Sequence, residues 1–158
     1  QTLMSTTYLW NRVRVQGGAY GAFLHVDRNG NLAFASYRDP KLKETLTIYD
    51  EAAQYLQAFA LDEREMTKLI LGTISRLDMP LTPSLKGEQV VANYLRGITR
   101  DDLQRERDEV LQTTAATIRQ LAPLVRDVLA AAPHCVLGNQ ERIEEEADLF
   151  QHTFQLFV

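Results

Sequence analysis

Apolar positions recur in two rhythms along this chain, helical over most of its length and strand-like in one stretch near the start. Leu3, Tyr8, Leu9 and Val13 form a rough stripe that predicts a helix over residues 3–14. Gly17-Gly18 ends it, because glycine readily takes the left-handed backbone of a helix C-terminus. Two short runs of aromatic and aliphatic residues come next, 20–27 and 31–37, and Asn29-Gly30 between them predicts a β-hairpin. Asp39-Pro40 closes the second strand and prepares a helix start.

In "KLKETLTIYDEAAQYLQAF", Leu42, Leu46, Tyr49, Ala53 and Leu56 fall at helical spacing, a stripe suited to packing on one face of the sheet. Asp62 opens a further helix through Met66, Leu69, Ile70, Ile74 and Leu77, which "DMPLTP" breaks with two prolines. Residues 84–97 and 100–113 read as two more helices, the second capped by Thr99, and 114–130 as a final long one. "HCVLGN" reads as a buried strand ending in a turn, 141–148 as an acidic helix start, and "FQLFV" as a last strand. No internal repeat or low-complexity linker interrupts the series. The fold class expected is α+β, an antiparallel sheet with helices packed on one face.

A chain of 158 residues is long enough to bury a sizeable core and is expected to form a single domain, 1–158. The net charge of −4 and pI near 5.4 argue against a nucleic-acid backbone as partner, and sign-alternating clusters such as "RERDE" mark a solvated helix face. No apolar run approaches the ~20 residues needed to span a bilayer, so no membrane partner is expected. "QTLMSTTYLW" lacks the basic start and apolar block of a secretory signal. The chain opens on Gln rather than Met, so a fragment or processed piece is expected. Its one cysteine, Cys135, fits a reducing, intracellular compartment, cytoplasm or organelle matrix, and its apolar setting predicts a buried, inert thiol.

Several chemistries lack their motifs. His25, His134 and His152 are too scattered for a helical zinc pair, and neither H-E-x-x-H nor H-x-x-E-H occurs. The run Glu144-Glu145-Glu146 reads as solvated helix surface. Gly17-Gly18 lacks the Lys-Ser or Lys-Thr of a phosphate loop, and no serine sits in G-x-S-x-G. By motifs alone the chain is not a complete enzyme, and alone it is expected to bind no zinc and cleave no peptide.

Arg14 and Tyr20 admit two readings. Each has a structural one: a cation at a helix C-terminus meets the dipole favourably, and an aromatic at a strand start packs with its hydroxyl satisfied. Taken together, the two glycines permit a tight reversal that brings a guanidinium and a phenol toward one point. Both are donors at neutral pH, suited to a carbonyl oxygen gaining charge in amide hydrolysis. They cannot supply the nucleophile.

"YLWNRVRVQGGAYGAF", "ASYRDP", "TLTIYDEAAQYL" and "DMPLTPSLKGEQVVANYLRGIT", continued in order by "RERDEVLQTT" and "CVLGN", resemble the presequence-protease branch of the pitrilysin/insulinase (inverzincin) metallopeptidases. The resemblance covers nearly the whole chain and implies a portion of the C-terminal, metal-free half. In that family an N-terminal half bears the inverted zinc motif, and both halves enclose a chamber for unfolded peptides. Arg14 and Tyr20 fall on the family's R-x-x-x-x-x-Y setting, which implies catalytic roles in holding substrate and stabilising the tetrahedral intermediate, with Gly17 and Gly18 at the substrate-binding junction. The zinc ligands would lie outside this chain.

The resemblance implies a C-terminal substrate-binding and transition-state-stabilising domain of a zinc oligopeptidase, inactive alone. Its partners would be the zinc-bearing N-terminal half and unfolded peptides. A non-catalytic relative acting in binding or assembly is the alternative, separable by an H-x-x-E-H upstream in the coding region. An unrelated helical interaction module is a third reading, favoured if Arg14 and Tyr20 diverge. The family places strands before the first helix, so truncation is expected to leave a sheet edge open to self-association.

Overall fold

The N-terminal helix is wound more widely than the sequence predicts. In the computed structural model, which describes residues 1–155, it is π-helical over Met4–Tyr8 and Trp10–Gln16. The wider turn, with i→i+5 hydrogen bonds, explains which side chains go inward. Met4 and Leu9 are buried, as are Tyr8 and Val13, each pair five residues apart.

This helix packs through Tyr8, whose hydroxyl donates to the Ile48 carbonyl at 2.7 Å and whose ring stacks on Tyr55 at 4.5 Å. Ile48 lies in α1 (Lys43–Asp50) and Tyr55 in α2 (Ala52–Gln57). The single helix expected over this stretch is thus two, joined at Glu51. The Glu51 carboxylate meets Arg12 at 2.8 Å at that joint.

The hairpin forms where Asn29-Gly30 predicts it. Strands β1 (Gly21–Val26) and β2 (Leu32–Tyr37) pair antiparallel, from Gly21 opposite Tyr37 to Val26 opposite Leu32. The loop closes by Gly30 donating to the Asp27 carbonyl and Asp27 donating to that of Asn31, with Gly30 left-handed at φ +87°. Leu24 is buried and Phe34 stacks on Tyr49 at 5.2 Å, while Phe23 and Tyr37 are exposed. The outer edge of β1 is not bare: the Leu24 amide donates to the Ser5 hydroxyl at 3.0 Å. Among the described residues the sheet has two strands only, so the fold is mostly helical and α+β in a loose sense.

Two compact units emerge from the contact pattern. Leu3–Gln57 with the chain from Leu121 onward make the first, and Ala58–Gln120 the second. In the first, α2 packs on α7 (Ala122–Ala131), which buries Ala122 and Val125. The second contains α3 (Glu63–Leu77), α4 (Pro83–Leu95), α5 (Arg100–Leu111) and α6 (Ala115–Arg119). Their starts are written in the sequence. The side chains of Asp62, Thr82, Thr99 and Thr114 each accept from a backbone amide three residues on, the last two within reciprocal capping boxes. Arg119 donates to the Phe59 carbonyl at 2.9 Å, and Arg107 pairs with Asp78.

Three further expectations are corrected. The long helix over 114–130 is split after Arg119, because Pro123 has no N–H for the Arg119 carbonyl in a continuous helix. "HCVLGN" forms no strand, and Cys135 is exposed rather than buried. An apolar run alone does not specify a strand; it needs a partner strand, and among the described residues none pairs with it. The acidic segment becomes α8 (Gln140–Glu145) followed by a 3₁₀ turn, Ala147–Leu149. Of "FQLFV", Phe154 and Gln155 lie in no regular element, and residues 156–158 lie outside the described residues.

Candidate active site

The junction between the first helix and β1 is built by its two glycines in different ways. Gly17 is the helical cap, and a Cβ there would lie 2.4 Å from the Val13 carbonyl oxygen. Gly18 takes the left-handed conformation, φ +86°, and its amide closes on the Arg14 carbonyl at 3.0 Å. Ala19 is then buried, and the chain enters the sheet. The Tyr20 amide is shared between the Tyr37 carbonyl at 3.1 Å and the Arg38 carbonyl at 3.3 Å.

This reversal brings Arg14 back against Tyr20. Arg14 Nε donates to the Tyr20 main-chain carbonyl at 3.0 Å. One turn earlier, Trp10 places its ring 3.8 Å beneath the Arg14 guanidinium carbon. With Nε engaged and one face stacked, the two terminal nitrogens of the fork remain as donors. The Tyr20 side chain is 67 % exposed, and its ring meets Tyr37 edge-to-face at 6.0 Å. Among the described residues its hydroxyl has no hydrogen-bond partner, and Arg14 has no carboxylate partner. The arrangement is therefore two hydrogen-bond donors, one cationic and uncompensated, beside a hydrogen-bonded turn. Such a set suits an oxygen that carries or develops negative charge.

Gly17 also lines an open depression with Arg12, Gln16, Lys41, Glu44 and Thr45, in which neither Arg14 nor Tyr20 takes part. Among the described residues no group of three or more His, Cys, Asp or Glu side chains is placed to hold a metal. No helix of the described residues is long and apolar enough to cross a membrane.

Residues 1–137 match the family model of the PreP C-terminal domain. The chain belongs to that family. It is 45 % identical over 152 residues to the protein HypA of Clostridium perfringens, covering 96 % of this chain and 16 % of that protein. To presequence protease 1, chloroplastic/mitochondrial, of Arabidopsis thaliana it is 38 % identical over 148 residues, covering 88 % of this chain and 14 % of the relative. The mitochondrial presequence protease of Emericella nidulans is 31 % identical over 140 residues, 88 % of this chain and 13 % of its own length. The chain thus spans at most 16 % of these relatives, and the expected presequence-protease branch is borne out.

Around the Arg14–Tyr20 junction of this PreP-type domain stand three neighbours that the sequence does not single out: Trp10, Tyr37 and Arg38. Trp10 has a legible signal, standing four residues before Arg14 on one helix face. Tyr37 and Arg38 have none, because only the hairpin register brings the end of β2 beside Tyr20.

Proposed function

We propose that this chain is the substrate-holding, oxyanion-stabilising part of a longer zinc peptidase that degrades unfolded peptides. The observation that carries the reading is the Arg14–Tyr20 join: Arg14 Nε binds the Tyr20 main-chain carbonyl, while the terminal guanidinium nitrogens and the Tyr20 phenol stay without a partner among the described residues. As water adds to a peptide carbonyl, negative charge builds on its oxygen. Donors fixed in advance beside that oxygen lower the barrier more than they strengthen substrate binding. Zinc held by H-x-x-E-H ligands outside this chain would supply the activated water. Arg14 additionally restrains the substrate through its planar fork, and Gly17 and Gly18 form the reversal that joins it to Tyr20. The exposed free thiol of Cys135 fits an intracellular, reducing setting.

The test is Tyr20→Phe in the full-length peptidase. Turnover should fall by about 10²–10³ while folding and zinc content stay as in the parent. A rise confined to KM would make Tyr20 a uniform binding contact. Unchanged kinetics would return the chain to a binding or assembly role.

A further inference from the structure

We infer that Arg38 is a positioning residue for Tyr20, a clamp that fixes the phenol from the end of β2. The inference rests on the catalytic role proposed for Tyr20. Its guanidinium carbon stands 5.4 Å from the Tyr37 ring centre and 5.9 Å from that of Tyr20. The two rings meet edge-to-face, so one cation spans both members of an aromatic pair.

The backbone shows how the side chain is sent there. Arg38 is the one non-glycine among the described residues with left-handed backbone, φ +47°. That conformation is costly for an arginine and persists only where the surroundings enforce it. Here both sides are held. The Tyr37 and Arg38 carbonyls accept from the Tyr20 amide. Next along the chain, the Asp39 carboxylate accepts from the Lys41 amide at 3.0 Å and the Thr45 hydroxyl at 2.8 Å. Asp39 is thereby committed to the start of α1, and among the described residues Arg38 has no carboxylate partner to draw it elsewhere.

An exposed tyrosine has several rotamers open to it, and an oxyanion donor works only when held in advance. Among the described residues Tyr20 has two restraints on its ring, Tyr37 edge-to-face with it and Arg38 beside it. Arg14 does not supply a third, since it binds the main chain.

Arg38→Gly and Arg38→Lys in the full-length peptidase test the clamp; glycine keeps the left-handed backbone, and lysine keeps a cation. Arg38→Gly should lower kcat about tenfold with KM within about twofold, and Arg38→Lys should recover most of the loss. Added to Tyr20→Phe, Arg38→Gly should change kcat by less than about twofold, because no hydroxyl remains to position. In protein labelled with 3-fluorotyrosine, the Tyr20 fluorine resonance, assigned by its loss in Tyr20→Phe, should move toward the free amino acid in Arg38→Gly but not in Arg38→Lys. An unmoved resonance, a loss that persists in the Tyr20→Phe background, or an effect confined to KM overturns the clamp. Lowered turnover in Tyr20→Phe with an unmoved fluorine signal overturns Arg38 alone. Normal turnover in Tyr20→Phe overturns the catalytic role of Tyr20 and the clamp with it.

Discussion

Arg14 holds Tyr20 by its main chain, Nε to carbonyl oxygen at 3.0 Å, and leaves the phenol unbonded among the described residues. One guanidinium therefore does three things: it stacks on Trp10, fixes the second residue after the glycine pair, and keeps two nitrogens unbonded among the described residues. An ammonium has no planar face to stack and no second fork once its nitrogen is engaged. Arg14→Lys in the full-length peptidase should lower kcat/KM by about 10²-fold, with zinc content unchanged by elemental analysis. Near-normal rates would assign Arg14 to the turn alone.

The two glycines should fail differently. Gly17→Ala puts a methyl group 2.4 Å from the Val13 oxygen, so the helix end must open and Arg14 shifts with it. Gly18→Ala has space, its nearest neighbour being Pro40 at 3.5 Å, but must adopt a left-handed backbone at a cost of about 1–2 kcal/mol. Denaturant unfolding should show Gly17→Ala as the more damaging of the two. The reverse order would mean that the helix end yields easily.

Alkali should loosen the first unit. Burial pushes the Tyr8 phenol up to about 12 from its ordinary 10.0, against the nearby Arg12 cation, which lowers it. The unfolded chain ionises first. Stability is therefore complete below pH 10 and declines as pH rises toward 12. Burial raises Tyr49 and Tyr55 as well, so Tyr8→Phe should shrink the decline without abolishing it. At neutral pH the same variant loses the bond to Ile48, about 1 kcal/mol. Melting curves of both proteins between pH 9 and 12 decide it.

Acid should act on the second unit. The Thr99 hydroxyl, the Thr99 amide and then Arg105 hold the Asp102 carboxyl down to about 2 from an ordinary 3.8. Its contribution is present above pH 3.8 and lost as pH falls toward 2, because the unfolded carboxyl takes up its proton first. Amide protection factors at the start of α5 should fall over that interval in the parent and less so in Asp102→Asn. Thr99→Ala, which removes the other half of the capping box, should cost about 1 kcal/mol at neutral pH.

Local chemistry is the legible part of this chain. Gly17-Gly18, Asn29-Gly30, Asp62 and Thr99 each act through neighbours within a few residues, and each sits where the sequence predicts a stop, a turn or a cap. Features that depend on distant partners are not legible. The joint at Glu51 carries neither proline nor glycine, and its ion pair is with Arg12. Apolar neighbours predict a buried Cys135, yet its segment pairs with no strand among the described residues and leaves the thiol exposed. The same limit applies at the candidate site: Arg14 and Tyr20 share one local motif, whereas Arg38 reaches Tyr20 only through strand pairing.

The left-handed backbone at Arg38 bears on how the chain would respond to laboratory evolution. Holding an arginine in that conformation costs on the order of 1 kcal/mol that glycine or asparagine would not incur. A library screened only for heat resistance should therefore enrich small residues at this position and return sturdier but slower proteins. A screen that also demands peptide turnover should keep the arginine and find its heat resistance elsewhere, making position 38 a sensor of which pressure was applied.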